Sequence, residues 1–479
     1  MWQTRRVTGS WTPRAIVVGS GLAGLTCARQ LALRGWQVEV ATPGQPGRDG
    51  ASHRVHALAP WILLTAPLAA GDSPRRFRED LEERAAGRAR PGLAEVLADG
   101  AHDAALALVA ELDLEALARE PALLPGDRWP RGLRCRPRAH RPLLAPLVDS
   151  CRAAGVRFSP RTVATGVLTA AGRAAGAVVC DGPDGTVGER PADAVILACG
   201  GTGAIFPVTT VPRWCCGSAV ALAAAAGVML QRPDLVQRLP VAAHQPWPYP
   251  GSAALLGGEL SIDSRPAGGV ADLAALEALL AAELRRGRTV LLRPGRGWEE
   301  IPLALRRLAL PHGETLVPLT LAAHHGTGGV AIDAWGRTSL PGLYACGEAA
   351  GGVQGAQRTL GTGLIEARLF GERAAQAADR DVRRDGPAAR ADAVHAVRPA
   401  GSPAALAERL DRLLGPLLLA PEPDATAVAL AELEAWPVAS KGHDTSAAWR
   451  TALRCAAARE VLRAALTGHN GPVTEAAAR

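Results

Sequence analysis

A single lysine, Lys441, occurs among the 53 basic residues of this 479-residue chain, so its formal charge of +7 is carried almost wholly by arginine. Aromatics are equally sparse, with four Phe, two Tyr and eleven Trp. Zinc-finger spacing, an RNA-binding aromatic motif and any dense basic tract are all absent. The basic pI near 9.2 therefore reads as a diffusely charged surface, and nucleic acid is excluded as a partner. The nine cysteines are odd in number and form no Cys-x-x-Cys, which excludes a disulfide framework and a metal site of that type. Cys27, Cys199 and Cys346 lie in apolar runs, as packed free thiols do, and the vicinal pair Cys215–Cys216 reads as packing too. No apolar run reaches the roughly 18 residues of a membrane span. The stretches Leu58–Ala70 and Ala219–Leu230 are both shorter. Arg5–Arg6 resembles the start of an export signal, but the first long apolar stretch after it is a strand, turn and helix. A reducing cytoplasm fits these absences.

The composition that remains is globular, at 48% hydrophobic and 21% charged, and the length allows two to four domains. The clearest local pattern is Ala15-Ile-Val-Val-Gly19-Ser-Gly21-Leu-Ala-Gly24-Leu-Thr-Cys-Ala-Arg-Gln-Leu31. A β-type run meets glycines spaced G-x-G-x-x-G, and a helical face of Leu25, Ala28, Leu31 and Ala32 follows, stopped by Gly35. Gln37 to Ala41 then reads as a second strand. In such a β-α-β unit the glycines serve a tight turn, close approach to a pyrophosphate and close helix–strand contact. The helix N-terminus offers the pyrophosphate free N–H groups. Thr42 stands where an acidic residue often meets the adenosine ribose, and its hydroxyl can accept a hydrogen bond there.

Farther along, a helical region is expected over Ser73 to Ala118, and Pro- and Arg-rich loop material over Pro121 to Pro146. Residues 148–199 read as a helix and then strands, with a turn at Gly182–Gly185, ending in the buried strand Ala194-Val-Ile-Leu-Ala-Cys-Gly-Gly201. An Ala-rich helix is expected over 217–229, and an irregular, Pro-rich lobe over 232–322 with one helix near 271–286. Glycine-punctuated strands return at Gly328–Asp333 and Gly342–Glu348, with a helix from Gly363 to Ala378. The tail, 379–479, opens with a charged linker and is then helical. No internal repeat is visible.

Taken together, these segments resemble the flavoprotein family of L-aspartate oxidase and the flavoprotein subunits of fumarate reductase and succinate dehydrogenase. The resemblance rests on Val18 to Gly24, Ile196 to Gly201, His324-His-Gly-Thr-Gly328-Gly329, Gly336 to Glu348, and Gln354-Gly355-Ala-Gln-Arg358 with Gly363 to Glu366. It implies an α/β chain with a Rossmann-like FAD-binding domain, an inserted α+β capping domain and a C-terminal helical domain. The expected bounds are 1–231 and 323–378 for the FAD-binding domain, 232–322 for the cap and 379–479 for the helical domain. The implied cofactor is FAD, held at Gly19, Ser20, Gly21, Ala23, Gly24, Thr42, Gly200, Gly201, Glu348, Gly363 and Leu364. Arg358 would grip a substrate carboxylate and His324 would supply a second contact. A metal bridging His324 and His325 is not expected, since neighbours on a strand face opposite ways.

The substrate half departs from the family pattern. Where relatives have Val-Gln-Phe-His-Pro-Thr, this chain has Val236-Gln-Arg-Leu239-Pro-Val241, so the substrate histidine is Leu239, and His244 is the candidate to replace it. The cap motif Arg-Gly-Glu-Gly falls near Gly257–Asp263, keeping Glu259 but no arginine, with Arg265 nearest, and the cap arginine before a helix has no match near Val270–Ala275. The Glu-Gly-Gly-His-Ser stretch appears as Pro130-Arg-Gly-Leu-Arg134, and Thr467–Gly471 replaces a final Ser-Arg-Gly. Ser52-His53-Arg54-Val55 resembles the run through which succinate dehydrogenases attach FAD to histidine, while aspartate oxidases hold FAD without that bond. The expected activity is a FAD-dependent oxidoreductase that oxidises a small amino or dicarboxylic acid, most like L-aspartate to iminoaspartate in NAD biosynthesis. The alternatives are a fumarate reductase or succinate dehydrogenase-like subunit, which would need an iron–sulfur partner, and a catalytically silent FAD-binding protein.

Overall fold

The computed structural model describes residues 11–54, 61–124, 127–139, 141–182, 185–244, 258–270, 272–295, 315–397, 402–419, 421–436 and 446–468. Its centre is a parallel sheet of five strands in the order Leu343–Ala345, Ala194–Leu197, Arg14–Val18, Gln37–Thr42 and Arg157–Pro160. Strands buried on both faces need continuous apolar runs, and Ala194–Leu197 is buried at every position. Helices Leu22–Ala32 and Gly363–Asp385 pack together over this sheet. The C-terminal ends of the strands, with their glycine turns, open on one side of the molecule.

An antiparallel sheet of Ala393–Ala396, Thr162–Ala170, Arg173–Asp181 and Thr186–Pro191 stands beside the first. A third sheet, Val236–Ala242, Val317–Gly326, Val290–Arg293, Glu259–Ile262 and Arg265–Pro266, is antiparallel and packs on helix Leu273–Arg285. It has a separate small core that includes Leu260, Leu276, Leu280, Val290, Leu292 and Leu319. Pro240 fits within a strand because Val236–Ala242 is the edge of that sheet.

Several boundaries differ from those read in the sequence. The stretch expected as one helix over 73–118 is two helices, Pro74–Ala85 and Leu93–Glu111, followed by the strand Leu114–Ala116. The break lies at Ala86 and Gly87, whose φ values of 49° and 70° no helix accepts. The Ala-rich helix stops at Ala225, because Gly227 turns the chain with φ 67°. Strand Val317–Gly326 runs through the expected boundary at 322/323, and helix Gly363–Asp385 runs through that at 378/379. The charged residues 379–385 are the solvated face of that helix, with Val382 buried and Arg383 bonded to Asp379 at 2.7 Å one turn back. The tail also contributes the strand Ala393–Ala396 before helices Pro403–Leu419, Pro423–Glu434 and Ser446–Thr467. Among the described residues, no helix is long and apolar enough to cross a membrane.

One charged residue lies deep in the body. Arg131 is 2% exposed and is held by Asp72 at 2.6 Å and Asp80 at 2.5 Å. Removing a buried cation strands both carboxylates, at a cost of about 3–5 kcal/mol. Arg131→Ala is therefore expected to lose that much stability in urea unfolding. Arg136→Ala, on an arginine whose side chain is 61% exposed, should change it by less than about 1 kcal/mol.

Candidate active site

The glycine turn after the first strand is shaped by contact rather than by flexibility alone. Gly19 has φ 109°, and a Cβ there would lie 2.4 Å from the carbonyl oxygen of Ala198. At Gly24 it would lie 2.1 Å from the oxygen of Gly19, which fixes how closely helix Leu22–Ala32 approaches the strand end. At Gly21 it would meet nothing nearer than the Ser52 hydroxyl at 3.6 Å, so this glycine opens outward. It opens into a cavity of about 890 Å³, a volume within the range of cofactor sites. The helix begins there at Gly21, with the Ser52 hydroxyl accepting the Leu22 N–H at 3.3 Å and the positive end of its dipole toward the cavity.

Of the expected cofactor residues, Gly19, Ser20, Gly21, Ala23, Thr42, Gly200, Glu348, Gly363 and Leu364 line this cavity. Gly24 and Gly201 do not, and each acts one layer behind. A Cβ at Gly201 would fall 2.3 Å from a carboxylate oxygen of Glu348, so that glycine makes room for the Glu348 side chain. Thr42 is already engaged. The Gly47 N–H donates to the Ser20 hydroxyl at 3.1 Å, Ser20 donates to Thr42 at 2.8 Å, and Thr42 donates to Asp49 at 3.2 Å. Asp49, which also accepts the Gly44 N–H at 2.8 Å, is thus the carboxylate at the end of the second strand. It lines the cavity and was missed because it arrives from the loop; it is the only acid between Thr42 and Ser52. The cradle of close glycines, the open face at Gly21 and the Asp49 carboxylate fit a dinucleotide cofactor such as FAD.

Facing this cradle, Arg358 is 8% exposed, and its Nε donates to Gln237 at 3.1 Å while Gln237 donates back to the Arg358 carbonyl at 3.2 Å. A terminal N–H of Arg358 reaches His324 Nε2 at 3.3 Å. Arginine cannot accept, so Nε2 is the lone-pair nitrogen and Nδ1 carries the proton, donated to the Thr210 hydroxyl at 2.7 Å. Burial, assisted by the Arg358 charge, pushes the His324 pKa down to about 3, and the same causes push His325 well down. Both imidazoles are neutral near pH 7.

The two histidines do not face opposite ways as expected. Register on the neighbouring strand passes from Gln237 opposite His325 to Arg238 opposite Ala323, so His324 is the extra residue of a β-bulge. The bulge turns both side chains into the same cavity. His325 Nδ1 lies 3.4 Å from Glu348, which also accepts the Gly326 N–H at 3.0 Å. Burial raises the Glu348 pKa to about 7. Among the described residues, no group of three or more His, Cys, Asp or Glu could hold a metal ion.

Other expectations are corrected. His244 is exposed on the turn after strand Val236–Ala242 and does not line the cavity, because that strand's edge carries it past the opening. Arg265 is exposed on a short outer strand and is equally remote. Leu239, in the place of the family histidine, does line the cavity and is buried. Ser52 and Arg54 line it too, whereas the intervening His53 does not. Gly257 and residues 469–471, parts of the cap and final motifs, lie outside the described residues.

Comparison with known proteins agrees with this geometry. The family profile described as FAD binding domain matches residues 14–264 and 304–364. The L-aspartate oxidase of Caulobacter vibrioides is 32% identical over 412 residues, covering 78% of this chain and 77% of that one. That of Streptomyces coelicolor is 32% identical over 417 residues, covering 75% and 67%. In fold, a chain of E. coli quinol fumarate reductase matches with a TM-score of 0.75 at 17% identity, covering 95% of this chain and 88% of that chain.

Two outcomes follow. Gly19→Ala, with no space for its Cβ, is expected to purify without the visible absorbance of bound flavin. The second concerns Glu366, buried and bonded to Gln354 at 2.6 Å, whose pKa burial raises from 4.5 to about 7. The folded state then binds more protons than the unfolded chain between those values, so this group's contribution to stability falls as pH rises through them. The stability of Glu366→Gln relative to wild type should therefore climb between pH 4.5 and 8, by on the order of 2 kcal/mol in urea titrations. A flat difference across that range would contradict the assignment.

Proposed function

The chain belongs to the FAD-binding flavoprotein family of L-aspartate oxidases and fumarate reductase and succinate dehydrogenase flavoproteins, and from that premise we propose that this FAD-dependent oxidoreductase oxidises L-aspartate to iminoaspartate. The observation that carries the proposal is the Arg358 guanidinium, buried in the wall of the same cavity as the glycine cradle and braced by Gln237 and His324. Bound FAD supplies the hydride acceptor.

The protein's own residues bind and orient. Arg358 offers a planar fork to one carboxylate of the substrate, and its brace leaves little conformational freedom to lose on binding. His324, neutral, holds that guanidinium and keeps an uncharged surface beside it. For His324 to donate to a carboxylate it must first take a proton, which a bound anion would favour. Glu348, near its midpoint at pH 7, is the group in the wall able to hold or release a proton under working conditions. The step would supply quinolinate formation for NAD, with oxygen or fumarate as electron acceptor. The nine free cysteines, none of them paired, support a reducing cytoplasm as its compartment.

A second reading, succinate–fumarate chemistry with an iron–sulfur partner, is favoured by the acidic lining. Asp80 binds Arg131 at 2.5 Å, Glu83 binds Arg128 at 2.6 Å, and Asp127 binds Arg84 at 2.6 Å. On the cap side Asp272 caps its helix at Ala275 (2.8 Å), and Glu277 binds Arg238 at 2.7 Å. These carboxylates are committed, and a substrate ammonium would have to compete for one.

Anaerobic titration of the flavin spectrum separates the readings. Bleaching by L-aspartate alone supports the first and bleaching by succinate alone the second, while a spectrum unmoved by either ends both. With the active acid, Arg358→Ala is expected to lower kcat/KM by about 10²–10³-fold with FAD retained.

A further inference from the structure

We infer that this site also oxidises α-amino acids whose side chain is a short alkyl group, with Leu239 as the residue that selects the side chain. This rests on reading the cavity as an amino-acid-oxidising site with the substrate's α-carboxylate on Arg358, and it changes only the side chain. L-Leucine represents the class, because its isopropyl group has the shape of the far carboxylate of aspartate without the charge.

The position of Leu239 relative to the clamp follows from the strand. Gln237, whose amide oxygen accepts the Arg358 Nε–H at 3.1 Å, and Leu239 are alternate residues of Val236–Ala242. Alternate residues of a strand project from one face, about 7 Å apart. The extra residue of the bulge, His324, belongs to the facing strand, so this spacing is kept on the Leu239 side. Leu239 is buried and lines the cavity, so a side chain extending from the clamp along this strand meets its isobutyl group.

The helix of the same lobe continues the apolar wall. Leu273–Arg285 presents Leu273 and Ala274 to the cavity, and Ala278 one turn later. Its first turn is fixed by Asp272, whose carboxylate accepts the Ala275 N–H at 2.8 Å. Among the described residues of this lobe that line the cavity, the one arginine is Arg238, and all three of its guanidinium nitrogens are engaged. Nε lies 2.8 Å and one terminal nitrogen 2.7 Å from Glu277, and the other terminal nitrogen donates to the Leu418 carbonyl at 2.9 Å. Against that one guanidinium stand two lining carboxylates, Asp272 and Glu277. A second substrate carboxylate turned toward this wall would lose its hydration and meet apolar carbon and carboxylates. An alkyl group gains there by leaving water, about fourfold in affinity for each methylene buried.

The reaction is the one proposed for aspartate. The α-hydrogen leaves with its electron pair as hydride to bound FAD, the ammonium releases one proton to water, and the freed nitrogen pair closes the C=N bond of the imino acid.

The test uses FAD-loaded protein under anaerobic conditions and the rate of flavin bleaching by L-2-aminobutyrate, L-norvaline, L-leucine and L-aspartate. All four should bleach wild type, with efficiency rising about fourfold from 2-aminobutyrate to norvaline. Leu239→Ala should flatten that rise, and Leu239→His should move the leucine-to-aspartate ratio by about 30-fold or more toward aspartate. Binding is read apart from turnover by the shift of the oxidised flavin band with 4-methylpentanoate, which has no amino group to oxidise, and Leu239→His should weaken it by about tenfold or more. If aspartate bleaches wild type and none of the alkyl amino acids does, the inference fails and the aspartate proposal stands. If all four bleach it but the Leu239 variants leave both the ratios and the 4-methylpentanoate affinity unchanged, Leu239 does not select the side chain and the inference fails. Bleaching by the alkyl amino acids alone sustains the inference and removes aspartate as a substrate. If no amino acid bleaches wild type, both fall together.

Discussion

A guanidinium buried in the wall of a largely apolar cavity imposes its charge on every ionisable group around it, and Arg358 is that guanidinium. Its field helps hold His324 and His325 neutral and opposes the upward shift that burial gives Glu348 and Glu366. The groups that touch it are arranged accordingly. Gln237 presents a carbonyl oxygen to Nε, and His324 presents a lone pair because its only ring proton is spent on Thr210. An anion entering the cavity would meet a cation oriented by two neutral dipoles, the Gln237 carbonyl and the His324 lone pair.

The cofactor half of the site was legible because backbone geometry wrote it. Strand ends that approach within contact of one another exclude side chains, so Gly19 and Gly24 had to be glycine, and the spacing survives as a pattern. Arg358 was legible by its setting in Gly-Ala-Gln-Arg. The remainder depends on properties with no local signature. A bulge is a mismatch between two strands, and nothing around His324 reveals that Gln237 and Arg238 will skip it. Asp49 reaches the strand end by a loop. His244 failed for the converse reason: closeness in sequence to Leu239 says little once an edge strand has carried the chain past the opening.

The near-absence of lysine has a structural counterpart. Guanidinium groups stack and fork, and this chain uses both habits. Arg373 and Arg380 lie over Trp335, Arg76 over Trp129 and Arg134 over Trp61. Arg131 and Arg337 each bind two carboxylates. The lobe carrying helix Leu273–Arg285 is tied to the rest through Arg238, which binds Glu277 at 2.7 Å and the Leu418 carbonyl at 2.9 Å. That contact joins the wall of the cavity to a helix of the C-terminal region, so the substrate half of the site is braced from outside the flavin fold.

On this reading a small dicarboxylate binds between the glycine cradle and Arg358. A crystal structure of the FAD-loaded protein with malonate bound tests it directly. The flavin is expected along the Gly19–Gly24 turn and one malonate carboxylate in fork contact with Arg358, at N–O separations of about 2.7–2.9 Å. Malonate seated away from Arg358, with that guanidinium still held by Gln237 and His324, would contradict it.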